Sequence, residues 1–141
     1  MSLETLRARP WLLWLPALAV MAVIFVLSHQ SGLRVSEDVN VERPIRVTGH
    51  LLAYATLGAL LLLALARLDR PRPAQALLAW ILAVAFGLTD EFHQSFVPER
   101  MGRLNDVVTD AIGAAVGVAI AWLVLSALAR AREASSRGMA D

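Results

Sequence analysis

The sequence predicts an all-α membrane protein of four transmembrane helices in a compact bundle, and three observations carry that expectation. The 141 residues are 57% hydrophobic and only 18% charged, too apolar for a soluble domain of this size. The apolar residues gather in four runs, Trp11 to Leu27, Leu51 to Ala66, Ala74 to Thr89 and Ala111 to Ala129, and so short a chain has little interior in which to hide them from water. The charges fall at the ends of these runs and between them, as they must where a helix of about 20 residues crosses roughly 30 Å of hydrocarbon. One domain is expected over 1–141, with spans at about 11–27, 50–66, 74–90 and 107–129.

The first span opens at Pro10, and Pro16 falls inside its apolar run, where a kink is expected. Arg7 and Arg9 imitate the start of a signal peptide, but the exit Ser28-His29-Gln30 lacks a small-x-small cleavage pattern, so the helix is expected to stay in the mature chain. In the second span Arg46, His50, Ala53, Tyr54 and Leu57 fall on one face at i, i+3 and i+4 spacing. In the third, Ala83, Gly87, Asp90, Glu91 and Gln94 share a face, whereas His93 points roughly 100° away from it, toward solvent or headgroups. In the fourth, Asp106, Asp110, Gly113, Ala114, Gly117 and Ala121 lie within about 50° either side of one line. Gly113-x-x-x-Gly117 permits close helix approach, so this stripe should face the bundle. The tail from Arg130 onward reads as a frayed, solvated end.

Arginine placement sets the expected orientation, because arginine resists translocation. Arg7, Arg9, Arg67, Arg70, Arg72, Arg130, Arg132 and Arg137 lie at one set of helix ends, while the opposite connections hold five arginines and eight of the twelve acids. Both termini are therefore expected on the cytoplasmic side of a multi-pass membrane protein. Cysteine and lysine are absent, which excludes disulfides, thiol chemistry and a Schiff base. No basic stripe suggests a nucleic-acid partner.

Three helices then bring Arg46, His50, Tyr54, Glu91, Gln94, Asp106 and Asp110 together at the outward end, with Arg100 from the last connection, as a candidate ligand-binding set. Glu91 stands out, since the C-terminal end of a helix disfavours a negative charge. Asp106 also suits a helix N-terminus. As catalysis, Glu91 or Asp110 would be a general base and His50 a proton carrier, although no nucleophile motif accompanies them. A metal set of His50, Glu91, Asp106 and Asp110 would come from three helices without H-E-x-x-H spacing, so neither a metal nor a cofactor is expected. Four spans with no inverted repeat leave a monomeric transporter little room for alternating access. The alternative to a site is a structural cluster in which these groups pair with one another and fix the helix register.

Three segments resemble the VanZ-like membrane proteins: Leu27-Ser28-His29-Gln30-Ser31-Gly32, then Gly49-His50 with Tyr54 and Gly58, then Asp90 through Arg100 followed by Asp106, Asp110, Gly113 and Gly117. Glu99 stands where glycine is usual in that family, and Asp110 where asparagine is common. The resemblance implies a multi-pass protein of the bacterial plasma membrane, linked in the family's namesake to low-level resistance against glycopeptides, teicoplanin especially. Its implied partners are membrane lipid and a lipid-linked peptidoglycan precursor or the glycopeptide itself. Modification of a lipid-linked envelope substrate is the enzymatic form of the same expectation.

Overall fold

A computed structural model describes residues 5, 8–30, 36, 38–98 and 104–138. Among these residues there is no strand, and a single 3-10 turn, Pro10–Trp14, leads into four helices: α1 (Leu15–His29), α2 (Val39–Ala66), α3 (Pro73–Gln94) and α4 (Leu104–Gly138). Each helix, with the turn counted into the first, is long and apolar enough to cross a membrane, and the four pack together as a multi-pass membrane protein. The outer surface is apolar, with Phe25, Leu52, Ile81, Phe92, Ile120 and Leu123 exposed, as lipid contact requires.

The helix ends follow local rules. Pro16 does not kink a continuous helix: it sits in the first turn of α1, after the 3-10 segment, where a missing backbone N–H breaks no helical bond. Asp38 caps α2, its carboxylate accepting from the Asn40 backbone N–H at 2.9 Å. That cap starts the helix well before the apolar run, so the polar stretch from Asn40 to Arg46 is helical and carries Pro44 within it. At the other end Arg67 and Leu68 adopt φ of 54° and 61°, and the Leu68 N–H reaches back to the Leu63 carbonyl, closing α2. Gln75 then takes the Arg72 N–H at 2.8 Å and donates to the Leu65 carbonyl at 2.9 Å, tying the start of α3 to the end of α2. The tail remains helical to Gly138, exposed throughout its last turns, rather than frayed from Arg130. Its Arg132 donates to the Leu68 carbonyl.

The most extensive packing joins α2 to α4, and α1 touches α2 and α3 but not α4. Lipid is as apolar as leucine, so burial alone gives little force between helices, and close packing must supply it. Small residues achieve this here. A Cβ on Gly113 would come within 2.6 Å of the Leu51 carbonyl oxygen, one on Gly58 within 2.5 Å of that of Ala114, and one on Gly117 would overlap that of Ala55. Glycine on each helix thus lets the other's backbone approach. Trp80 fastens α3 to α4 as well, its indole N–H donating to the Ala111 carbonyl at 3.0 Å.

Candidate polar site at one end of the bundle

The end formed by the last turns of α1 and α3 and the N-terminal parts of α2 and α4 gathers the ionisable side chains, in two neighbouring groups. Between α2 and α4, Arg46 pairs with Asp106 and, one turn deeper, His50 Nδ1 lies 2.8 Å from Asp110 Oδ1. The four-residue step is the same on both helices, so the two pairs stack as rungs. Between α1 and α3, Ser28 Oγ donates to Asp90 Oδ2 at 2.6 Å, and Gln94 Nε2 donates to the same oxygen at 2.9 Å. Asp90, Glu91, Gln94, Asp106 and Asp110 are all buried.

Tyr54 and Gly87 connect the first group to α3. The Tyr54 ring lies parallel to His50 at 6.5 Å between centroids and 6.3 Å from Phe86. The point a Cβ would occupy on Gly87 is 3.2 Å from the Tyr54 ring, 3.4 Å from its hydroxyl and 3.4 Å from Asp110 Oδ2. Glycine at 87 lets α3 lie close against these two side chains. Both Tyr54 and Asp110 are 1% exposed, yet the tyrosine hydroxyl and Asp110 Oδ2 have no hydrogen-bond partner among the described residues. Glu91, one position after Asp90, brings a carboxylate oxygen to within 4.8 Å of ligand atoms of both His50 and Asp110.

Of the residues singled out from the sequence, Arg46, His50, Tyr54, Glu91, Asp106 and Asp110 meet in the first group. Gln94 belongs to the second. Arg100 lies outside the described residues. His93 lies off the shared face, as expected, but is half-buried rather than free in solvent: its Nε2 is 3.2 Å from His29 Nδ1 and its ring is 4.5 Å from Phe25, both on α1. Ser28 and Asp90 were not foreseen as a pair. The available signals were the serine ending the first apolar run and the shared face of Asp90 and Gln94, but nothing in either helix alone gives the register between them.

The chemistry this arrangement permits is acceptor-rich. Glu91 and Asp110 are enclosed, while Arg46 and His50 keep 30% and 20% of their side chains exposed, so approach from outside runs past the arginine and the imidazole. His50 is oriented by Asp110, the arrangement in which an imidazole holds one tautomer. A shallow groove elsewhere, lined by Ala76, Trp80, Ala115, Val118, Ala119 and Trp122, is almost wholly apolar and contains none of these groups.

Fold and site together define a four-helix membrane protein that carries a buried polar group at one end of its bundle. The family model described as VanZ/LLP1 matches residues 13–125, spanning all four helices, and the chain belongs to the VanZ/LLP1 family. No curated protein and no solved structure matched the chain.

Proposed function

We propose that the chain binds the polar portion of a cell-envelope component at the outer face of a bacterial plasma membrane. By this binding, or by a modification that follows it, the protein contributes to tolerance of teicoplanin-type glycopeptides. The observation that supports this most is the convergence of His50, Glu91 and Asp110, with Asp110 Oδ2 and the neighbouring Tyr54 hydroxyl buried and without a hydrogen-bond partner among the described residues. Where no water reaches, an unsatisfied polar atom costs several kcal/mol, and a ligand that supplies N–H or O–H donors recovers part of that cost. Lipid-linked peptidoglycan precursors and glycopeptides carry amides and hydroxyls of this kind. Arg46 at the rim adds a donor that an anionic headgroup can share with Asp106.

The outward orientation rests on the eight arginines at the opposite helix ends against five on this side. A membrane-impermeant thiol reagent should modify a Ser31→Cys variant in intact cells; modification only after permeabilisation reverses the orientation and removes the outer-face reading. In a host where the wild-type chain raises teicoplanin tolerance, His50→Gln should abolish that tolerance at unchanged protein level. Full tolerance in the variant contradicts the assignment of this site.

A further inference from the structure

His50, Glu91 and Asp110 come from three different helices, and one ligand atom of each lies within 4.8 Å of the other two. An imidazole with two carboxylates is a nitrogen and oxygen donor set suited to first-row divalent ions. Acidic groups often cluster without an ion, so the donor set alone is insufficient. The second observation is Asp110 Oδ2, on a side chain 1% exposed and without a hydrogen-bond donor, with the equally buried and unpartnered Tyr54 hydroxyl beside it. Both lie 3.4 Å from one point against Gly87, on the helix that supplies Glu91. Lone pairs enclosed in this way are expected to be met by a donor or by a cation.

We propose that His50, Glu91 and Asp110 form a binding site for one divalent transition-metal ion, of the class of Zn²⁺ or Mn²⁺, held between α2, α3 and α4. The ion takes the place of the proton shared by His50 Nδ1 and Asp110 Oδ1, which already stand 2.8 Å apart. In a tetrahedral shell with bonds of about 2.0 to 2.1 Å the ligand atoms are about 3.4 Å apart, so ion binding moves His50 Nδ1 and Asp110 Oδ1 apart from 2.8 Å and draws the Glu91 carboxylate inward. Three protein ligands leave at least one position for water or for an oxygen of another molecule, the pattern of sites that act on a ligand rather than merely brace a fold. Of the four donors the sequence offered, Asp106 is taken by Arg46, and the other three converge although each sits on a separate helix.

The inference is independent of the envelope ligand, and its test uses the metal alone. The full chain, purified in detergent and stripped with EDTA, is equilibrated with Zn²⁺ or Mn²⁺, desalted and analysed for metal content and melting temperature. One equivalent retained per chain, a raised melting temperature and visible ligand-field bands on loading with Co²⁺ are the expected results. His50→Ala and Glu91→Gln should each weaken retention at least as much as loss of an outer partner does, about 10- to 100-fold. Asp90→Asn, in the neighbouring group, should retain the full equivalent. Wild-type protein with neither retention nor a melting shift overturns the site, as does equal retention in His50→Ala. If both ligand variants fail to fold, the Co²⁺ spectrum of the wild type decides: its absence rejects the site. Protein that holds the ion yet leaves glycopeptide tolerance unchanged would contradict only the proposed function.

Discussion

The seam between α2 and α4 and the polar end of the same two helices are built on opposite plans. Along the seam Gly58, Gly113 and Gly117 stand where any side chain would collide with the facing backbone, so the space is filled. One to two turns away, Tyr54 and Asp110 are buried as deeply as any residue of the core and still keep oxygens without partners. A region selected only to hold helices together would have matched its donors and acceptors or replaced them with apolar groups, which is often at least as stable. On the proposed reading the contrast separates a scaffold, saturated by packing, from a site with unused capacity.

The largest expected effect falls on the scaffold. Gly117→Leu sets a side chain against the Ala55 backbone and should prevent the chain from accumulating in the membrane or surviving extraction as a monodisperse species. Ala119→Leu, on the exposed side of α4, should accumulate normally. Equal tolerance at both positions, measured by membrane protein level and gel filtration, would dissolve the distinction.

A smaller effect sharpens the border between the regions. Gly87→Ala places a methyl group 3.2 Å from the Tyr54 ring and 3.4 Å from Asp110 Oδ2, contacts relieved by shifts of a few tenths of an ångström. Overpacking of this kind typically costs about 1 to 3 kcal/mol, so the variant should fold with a lowered melting temperature in detergent. An unchanged melting temperature would show that α3 is not held tightly against Tyr54 and Asp110. The smallest effect belongs to His93→Gln: this side chain meets His29 and Phe25 on α1, outside the group around Asp110, and its loss should leave protein level and melting nearly unaltered. A large loss of stability would make the α1 contact part of the scaffold.

These regions differ as well in how much the sequence disclosed. The seam was legible because Gly113 and Gly117 recur at helical spacing within one apolar run, and the same phase turns Asp110, just before that run, inward. His50 and Glu91 could be aimed in the same way, each by the small and apolar residues on its own face. What concerns two helices at once was not legible. The pairing of Ser28 with Asp90 and Gln94 depends on the register of α1 against α3, and Trp80 gives no sequence sign that its indole N–H reaches the Ala111 carbonyl. The polar start of α2 was hidden for another reason: the helix from Val39 is begun by the Asp38 cap and continues into a tertiary ion pair at Arg46, without apolar periodicity to mark it. The helical angle of His93 takes it off the face that meets α2 and α4, but gives no sign that α1 covers that other side of α3 and half-buries it.

The central claim is that the polar end serves a ligand and is not a fastener, and Glu91→Gln tests it most directly. The substitution keeps shape and hydrogen-bonding capacity while deleting the charge. If the carboxylate existed only to complete a buried ion pair, removing it would cost about 3 to 5 kcal/mol and lower the melting temperature of the EDTA-treated protein by many degrees. The account predicts the reverse: protein level and melting after EDTA treatment match those of the wild type, while teicoplanin tolerance, in a host to which the wild type confers it, is lost. A Glu91→Gln chain that melts early, or one that retains full tolerance, would contradict it.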